Sequence, residues 1–287
     1  MKRLAVLILI VAALSGCTSV FFHPHKNVVT TPGQYGIEYQ PIEMLAADGT
    51  SLFAWFLPAR GEARATVLYL HGNAENISTH FANVAWMPAA GFNVLAMDYR
   101  GYGGSEGQPS LAGLQLDIDA GMRTLLERRD VDPSRIILFG QSLGGALAIY
   151  YAAHGEHRDR LRAVIADSAF SDYRLVAREK LAGFFMTWMF QWLPDFMIDN
   201  RYAPIAAVAS VSPVPLLLIH GKADRIVPAH HSERLLEQAM GPKELWLVPE
   251  AGHIQALRSK EMRAKLAAFM RQHVTGQVVA SGHDLAR

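Results

Sequence analysis

The sequence predicts an α/β fold built on a largely parallel sheet. Short apolar runs recur along most of the chain, and stretches of helical character, such as 111–128 and 144–153, lie between them. Continuous apolar strands that alternate with helices indicate a parallel sheet covered on both faces. The chain has 287 residues, of which 51% are hydrophobic, so it is long enough for one large domain with a buried core.

The composition excludes several classes of protein. The apolar fraction is too high for a disordered chain, and a formal net charge of +1 argues against a nucleic-acid-binding protein. The single cysteine, Cys17, excludes an internal disulfide framework and a multi-cysteine zinc site. Two histidines flank Pro24, but no third ligand accompanies them, so we expect exposed residues there and no metal site.

Residues 1–16 have the pattern of a secretory signal peptide. A basic start precedes eleven apolar residues, 4–14, and this run is shorter than the roughly 20 residues that a membrane-spanning helix needs. The next letters, LSGC, resemble the lipobox of bacterial lipoprotein precursors, in which the cysteine is lipidated and becomes the first residue of the mature protein. The resemblance implies that Cys17 anchors the body to the envelope of a bacterial cell. The alternative is an uncleaved signal anchor with an incidental thiol.

Residues 17–36 show no apolar period, which predicts a lipidated tether. Thr18, rather than an aspartate, follows the cysteine, and the sorting habit of such lipoproteins then favours the outer membrane, facing the periplasm. Beyond the tether, a hairpin is predicted from 37–45 and 51–57 around a short turn at Asp48. Six apolar runs predict the strands that follow, at 65–70, 92–97, 136–139, 163–166, 216–219 and 245–248.

The segment GQSLG, with Ser142 at its centre, matches the G-x-S-x-G pattern of a nucleophile elbow. A predicted strand comes directly before it and a run of small helix-forming residues directly after, which is the strand–turn–helix context that this pattern requires. The turn exposes the serine hydroxyl at the edge of the sheet and places it near the positive end of a helix. We therefore predict that Ser142 is a nucleophile.

A serine nucleophile needs a base that is itself held in place by a third group. His253 follows the strand 245–248, and Asp224 follows the strand 216–219. Both residues are therefore expected on loops at the carboxyl end of the sheet, where ligands bind in open parallel sheets. We predict that His253 is the base and that Asp224 orients it. Asp167, which follows another strand, stays open as the rival acid.

Other polar residues near the strand ends have structural interpretations. His220, at the end of a buried strand, is expected to be a hydrogen-bonding residue of the core, and Asp98 is expected to brace the neighbouring loop. His230 and His231 are expected on a surface helix and are poor candidates for the base.

Acyl transfer also needs N–H donors for the oxyanion that develops in the reaction. The backbone N–H of Leu143, one residue after the nucleophile, supplies one of them by geometry. The second is expected from the loop after the strand 65–70, which reads HGNAEN, and our candidate is the backbone N–H of Asn73. The alternative for this loop is a plain βα turn.

Taken in order, the segments HGNAEN, DYRGYGGSEG, GQSLGG, HGKADRIVP and AGH resemble the α/β-hydrolase superfamily, in which the triad follows the chain order Ser, Asp, His. More narrowly, they are similar to the branch of serine-aminopeptidase-like hydrolases, membrane-associated acyl-protein thioesterases and lysophospholipases. The resemblance spans about residues 37–270. It implies an eight-stranded, mostly parallel sheet, hydrolysis through an acyl-enzyme, and no cofactor. We therefore assign 37–275 to the hydrolase domain and 276–287 to a C-terminal tail.

Between Ser171 and Pro213 the chain is longer than a plain strand–helix connection requires, which predicts a small helical cap, at about 171–213. Its middle, 184–193, is apolar on every helical face, and such a helix is buried or meets lipid. Three interpretations stay open: an acyl pocket, a contact with the membrane surface, or a plain core helix packed on the sheet. The candidate pocket residues are Phe184, Phe185, Trp188 and Met189.

Together, these patterns predict a lipid-anchored serine hydrolase that cleaves carboxylic esters or thioesters with a hydrophobic acyl group. The expected partners are a small-molecule ester or lipid substrate and the membrane surface, and no nucleic acid. We find no acidic cluster placed to hold the free amino terminus of a peptide, which favours esters over peptides. A serine peptidase on the same fold and a non-catalytic binding protein of the envelope are the alternatives.

Overall fold

The computed structural model describes residues 21–274, and its centre is one eight-stranded sheet. In chain order the strands are β1 (Gln40–Leu45), β2 (Ser51–Leu57), β3 (Ala65–Leu70), β4 (Phe92–Asp98), β5 (Ile136–Gln141), β6 (Leu161–Asp167), β7 (Leu216–Gly221) and β8 (Lys243–Val248). Their order across the sheet is β8-β7-β6-β5-β3-β4-β2-β1. Strands β3 to β8 pair in parallel, and β2 is antiparallel to both of its neighbours. The predicted hairpin and the predicted mostly parallel sheet are confirmed.

Several strands extend beyond the apolar runs that predicted them. Strand β5 continues through Gly140 and Gln141, because Gly140 pairs with Leu70 on one side and with Ala166 on the other. Backbone hydrogen bonding to neighbouring strands therefore carries the ladder past the last large apolar side chain. This extension brings β5 right up to the serine of the GQSLG segment.

Five longer helices and several short ones connect or follow the strands in the described part of the chain. The longer helices are α1 (Leu111–Glu127), α2 (Leu143–His154), α3 (Tyr173–Ala182), α4 (His230–Gln238) and α5 (Lys260–Val274). The short α-helices are Ile77–His80, Pro194–Met197 and Pro204–Ala207, and the 3-10 helices are Pro32–Tyr35, Phe81–Asn83, Pro88–Ala90, Arg158–Arg160, Trp188–Phe190, Val208–Val211 and Ala256–Arg258. Helices α1 and α2 agree with their predictions to within one residue at each end.

The core lies on both faces of the sheet. Successive residues of a strand point to opposite faces, and in β3 Leu68 belongs to the cluster under α1 and α2, whereas Val67 belongs to the cluster under α5. Leu147 of α2 and Met270 of α5 are fully buried in these two clusters. Burial of each such side chain contributes about 1.5–3 kcal/mol. The sheet is therefore a rigid platform that fixes the loops at its carboxyl edge.

Residues 21–36 are not the free tether that the sequence predicts. Phe22 is buried, and the backbone of His23–Pro24 pairs in parallel with Ala74–Glu75. The side chains of His23 and His25 are exposed, as expected. The prediction is wrong because this segment is held by the buried Phe22 and by hydrogen bonds to distant loops, and neither produces a periodic pattern in the sequence.

The predicted signal peptide, the lipidation site Cys17 and the C-terminal tail lie outside the described residues. Between residues 21 and 274, no helix combines the length and the apolar character that crossing a membrane requires.

The cap is an insertion of short helices, as predicted, but its apolar middle is not a buried core helix. Segment 184–193 forms only turns and the 3-10 helix Trp188–Phe190, and Phe185 is 94% exposed. The cap contributes other residues to the core, such as Tyr173 and Val176 of α3, whereas the aromatic side chains of 184–193 are all exposed. The core interpretation of this segment is therefore wrong.

Candidate active site

Ser142 lies at a sharp turn between β5 and α2. Its backbone angles are φ 54° and ψ −115°, in a region that residues other than glycine rarely adopt. A Cβ at Gly140 would overlap the carbonyl oxygen of Gly144, and a Cβ at Gly144 would overlap that of Leu70. The Ser142 N–H donates to the carbonyl oxygen of Asp167 at 2.8 Å. The predicted strand–turn–helix elbow is therefore present, and close backbone contact explains its glycines.

Two backbone donors near the elbow have no acceptor within residues 21–274. They are the N–H groups of Leu143 and Asn73, the two predicted oxyanion donors. Leu143 is the first residue of α2, where the helix dipole favours negative charge. A Cβ placed on Gly72 would lie 3.6 Å from the Cβ of Ser142, so the loop that carries Asn73 passes beside the nucleophile.

The side chain of Asn73 fixes this loop to the N-terminal segment. Its Nδ2 donates to the carbonyl oxygen of Phe21 at 2.6 Å. Its Oδ1 accepts from the Tyr102 hydroxyl at 2.9 Å and from the His23 N–H at 3.2 Å. Asn76 adds bonds from its Nδ2 to two further carbonyl groups of the N-terminal segment. The loop is therefore not a plain βα turn, and sequence reasoning missed these side-chain contacts because their partners lie about thirty to fifty residues away.

His253 and Asp224 are hydrogen-bonded to each other. The Nδ1 of His253 lies 2.7 Å from the Oδ2 of Asp224, and the Oδ1 of Asp224 accepts from the N–H groups of Ile226 and Val227 at 2.8 and 2.9 Å. Burial raises the pKa of Asp224, but hydrogen bonds from His220, His253 and the backbone outweigh it and hold that pKa well below its usual range. Asp224 is therefore an ionised acceptor, and the imidazole of His253 carries its proton on Nδ1.

His220 has the structural role that the sequence predicts. Its Nε2 donates to the carbonyl oxygen of Val227 at 2.8 Å, and its Nδ1 accepts from the Ser232 hydroxyl at 2.6 Å. The same Nε2 lies 3.4 Å from the Oδ2 of Asp224. His220 therefore holds the loop that positions Asp224.

The loop that carries His253 is tied to the elbow through Ser168. The N–H of Ile254 donates to the Ser168 hydroxyl at 3.0 Å, and Ser168 directly follows Asp167, whose carbonyl oxygen holds Ser142. The Ser142 hydroxyl and the His253 Nε2 make no hydrogen bond to each other or to another described residue. Such contacts are often open without substrate and tighten when the complex forms. The structure thus joins His253 to Asp224 and places Ser142 on a connected loop.

Asp167, the rival acid, does not contact His253. It is fully buried, and its carboxyl group accepts from Gln141 Nε2 at 2.8 Å and from the Ser168 hydroxyl at 3.1 Å. Burial raises the pKa of this carboxyl group. The Oε1 of Gln141 in turn accepts from the Tyr69 hydroxyl at 2.6 Å. Asp167 and Gln141 therefore brace the elbow from below, a role of Gln141 that its pattern position does not reveal.

Asp98 braces a neighbouring loop, as predicted. Its carboxylate accepts from the N–H groups of Ile77 at 2.8 Å and of Gly104 at 3.2 Å. Burial raises the pKa of Asp98 to about 6 and lowers the pKa of His71, whose Nε2 lies 3.5 Å away, to about 3. His71 therefore stays neutral, and its Nδ1 donates to the carbonyl oxygen of Gly72 at 2.7 Å.

Glu179, His230 and His231 form a cluster between α3 and α4 with the composition of a metal site. His231 is fully buried, contrary to the expectation of a surface position. Its Nδ1 accepts from the N–H of Ser171 at 3.1 Å, so its Nε2 carries the proton and donates to Glu179 at 3.1 Å. A protonated nitrogen is no metal ligand. The cluster is therefore a hydrogen-bonded bridge that holds the cap against α4.

The four predicted pocket residues are on the outer surface of the cap. Phe184, Phe185, Trp188 and Met189 are 58%, 94%, 60% and 64% exposed, respectively. Their side chains therefore do not line an enclosed acyl pocket in this structure.

Comparisons with known proteins agree with this fold and its motifs. Residues 61–210 match the model of the family described as serine aminopeptidase, S33. The chain is 40% identical over 244 residues to the uncharacterised protein YfhR of Escherichia coli K12, which covers 84% of this chain and 81% of that one. It is 32% identical over 223 residues to the α/β hydrolase domain-containing protein WAV2 of Arabidopsis thaliana, which covers 75% of this chain and 71% of that one.

Among solved structures, the esterase Pf2001 of Pyrococcus furiosus has the same fold. The two structures superpose with a TM-score of 0.72 at 22% sequence identity, over 88% of this chain and 98% of that one. The resemblance to α/β-hydrolases that the motifs carry is confirmed. This chain belongs to the α/β-hydrolase superfamily and, within it, to the serine aminopeptidase S33 family of hydrolases.

Proposed function

We propose that this protein is a serine hydrolase that cleaves carboxylic esters or thioesters through a triad of Ser142, His253 and Asp224. The observation that carries the proposal is the bond of 2.7 Å between His253 Nδ1 and Asp224 Oδ2. It leaves the Nε2 of His253 unprotonated and unpaired among the described residues, as a general base requires. The strained elbow at Ser142 supports the same roles, since backbone strain of this kind clusters at active sites.

The reaction proceeds in two steps. The Oγ of Ser142 attacks the carbonyl carbon while its proton passes to His253 Nε2, and the N–H groups of Leu143 and Asn73 hold the resulting oxyanion. The intermediate collapses as His253 returns that proton to the departing alcohol or thiol, which leaves an acyl-enzyme. A water molecule, deprotonated by His253, then releases the acid and restores Ser142. Asp224 stabilises the charged imidazole in both steps.

A hydrophobic acyl group is the substrate feature that the cap favours. The chain between Lys180 and Asp195 contains no charged residue, and its large exposed side chains are aromatic or methionine. Because these side chains face outward, they support an apolar substrate by attracting lipid to the protein rather than by enclosing the acyl chain. The family description favours a second candidate, a serine peptidase, which would cleave aminoacyl amides through the same triad.

We further propose that the body is anchored to the bacterial envelope through a lipid on Cys17. The support is the LSGC segment after an apolar run of eleven residues. A Cys17→Ala variant is expected to stay unprocessed or to leave the membrane fraction. Unchanged membrane fractionation and processing would contradict the lipid anchor.

Hydrolysis of p-nitrophenyl esters from acetyl to palmitoyl by the full chain tests the catalytic proposal. We expect turnover, and an increase with acyl length, that the Ser142→Ala variant loses while its circular dichroism is unchanged. Ser134→Ala, which removes an exposed hydroxyl far from the elbow, is the matched control and should retain activity. Residual turnover in Ser142→Ala would exclude the triad, and cleavage of aminoacyl p-nitroanilides in preference to esters would favour the peptidase.

A further inference from the structure

The outer surface of the cap is a large, ordered apolar patch. We define the aromatic cap patch as eight exposed side chains: Phe184, Phe185, Met186, Trp188, Met189, Phe190, Trp192 and Phe196. At about 150–250 Å² per aromatic side chain, the patch presents on the order of 1,000 Å² to solvent. The largest apolar patch on a typical soluble monomer is about 300–600 Å². An exposed apolar surface of this size indicates a binding partner.

The backbone beneath the patch is organised by its own hydrogen bonds. The carbonyl oxygen of Phe184 accepts from the N–H groups of Thr187 and Trp188, both at 3.0 Å. The Thr187 hydroxyl donates to the carbonyl oxygen of Leu181 at 2.8 Å. The bulky side chains are thus displayed outward from a loop that is held by its own hydrogen bonds.

The chain enters the described fold at the root of the cap. The ring of Phe21 packs edge-on against Tyr173, the first residue of α3, with centroids 5.5 Å apart. The apolar run 4–14 and Cys17 precede this point. Cys17 precedes Phe21 by four positions, so their Cα atoms are at most about 14 Å apart. A lipid on Cys17 would therefore be attached within that distance of the root of the cap.

Cationic side chains lie between the cap and the active-site loop. Lys180, at the end of α3, and Arg225, next to Asp224, are exposed and form no ion pair with a described residue. The Nζ of Lys180 donates to the backbone carbonyl oxygen of Arg225 at 3.4 Å, so the end of α3 and the loop that carries Arg225 are adjacent. Unpaired Lys and Arg at the rim of an apolar surface complement anionic lipid headgroups.

We propose that the aromatic cap patch inserts into the interfacial layer of a lipid bilayer that contains anionic phospholipid, with Lys180 and Arg225 at the headgroups. Tryptophan is the residue best suited to this layer, and the patch contains Trp188 and Trp192. The bilayer contact holds the face with Ser142 and His253 next to the membrane. Binding of the patch to the bilayer does not depend on the chemistry of the triad.

Tryptophan quenching by lipid with brominated acyl chains tests this contact directly. The full chain is reconstituted into vesicles of phosphatidylethanolamine and phosphatidylglycerol, with or without bromine on the acyl chains. The chain has five Trp residues, and we expect brominated lipid to quench part of their fluorescence. The double variant Trp188→Phe and Trp192→Phe should lose that quenching, whereas the matched variant Trp246→Phe, at β8, should retain it.

Two further variants test the apolar and the electrostatic parts of the contact separately. Phe185→Asp places a charge in the patch and should abolish the quenching, and Lys180→Gln should weaken it in vesicles with phosphatidylglycerol but not in vesicles of phosphatidylcholine. The quenching should persist in Ser142→Ala, and Phe185→Asp should retain hydrolysis of a soluble acetyl ester. A protein without the proposed hydrolase activity would therefore still show the tryptophan quenching.

Three outcomes would overturn the proposal. One is quenching that does not depend on Trp188 and Trp192. Another is protection of these residues from acrylamide without vesicles, which would show that a segment of the same chain covers the patch. The third is disulfide cross-linking between copies of a Phe185→Cys variant in place of lipid contact, which would make the patch an interface between two copies.

Discussion

His253 and Asp224 meet through one nitrogen of the imidazole and one oxygen of the carboxylate, Nδ1 and Oδ2, 2.7 Å apart. The second oxygen of Asp224 is held by two backbone N–H groups, so the carboxylate has no freedom to turn away. The pair is therefore preorganised before substrate arrives, and the proton on Nδ1 fixes which nitrogen faces the serine.

Asp224→Asn is expected to lower kcat about 10³- to 10⁴-fold with little loss of stability. The amide donates to Nδ1, which moves the imidazole proton to Nε2 and removes the base. Asp167→Asn is the matched control, because Asp167 contacts Gln141 and Ser168 rather than His253. Ester turnover and its pH profile measure both variants. A larger loss of turnover in Asp167→Asn than in Asp224→Asn would identify Asp167 as the acid.

Asn73→Ala is expected to lower kcat about 10- to 100-fold while KM changes little. The backbone N–H remains, but the bonds that hold its loop to Phe21 and Tyr102 are gone, and small displacements of a catalytic donor cost rate on this scale. Asn73→Asp keeps the acceptor and should fall between the wild type and Asn73→Ala. Equal kcat in all three proteins would show that the loop does not need its side-chain contacts.

Gln141→Leu is expected to lower the free energy of unfolding by about 3 kcal/mol, because it removes one hydrogen bond each from the buried carboxyl group of Asp167 and the buried hydroxyl of Tyr69. Tyr69→Phe removes one of these bonds and should cost about 1 kcal/mol. Urea denaturation gives both values. A Gln141→Leu variant as stable as the wild type would show that the hydrogen bonds beneath the elbow do not contribute to stability.

Stability is expected to fall as the pH drops from about 6.5 towards 4. Burial lowers the pKa of His71 to about 3 and that of His231 to about 4, so the folded protein keeps both side chains neutral. In the unfolded chain each histidine has its usual pKa of about 6.5 and is protonated below that pH. The free energy of unfolding then falls by about 2 kcal/mol per histidine between pH 6.5 and 5. Asp98 and Asp167 act in the opposite direction, because burial raises the pKa of both, that of Asp98 to about 6, and the folded state then binds protons that the unfolded chain does not.

The pH dependence of the unfolding midpoint in urea checks this sign. His231→Asn should give a shallower decline with falling pH than the wild type, whereas His154→Gln, an exposed histidine, should leave the slope unchanged. A steeper decline in His231→Asn would mean that this residue is charged in the folded protein.

The sheet and the loops that carry the candidate triad were predictable because both follow from local pattern. Each apolar run marks its strand to within a few residues, and Ser142, Asp224 and His253 all follow strand ends within five residues. Whether an apolar segment faces the interior is a tertiary property, so the pattern at 184–193 was compatible with core and with surface. Long-range bonds, such as the one from Asn73 to Phe21, leave no trace in periodicity.

The bond between Asn73 and Phe21 has a consequence for proteolysis of the native protein. Residues 21–25 contact both α3 and the loop beside Ser142, through the ring of Phe21 and the backbone of His23. A protease that cut between residue 25 and β1 would separate the N-terminal segment, whose contacts pin this loop, from the rest of the chain. If the proposed lipid anchor and oxyanion donors are correct, such cleavage would release a protein whose donors are no longer aligned, so it would end the proposed activity.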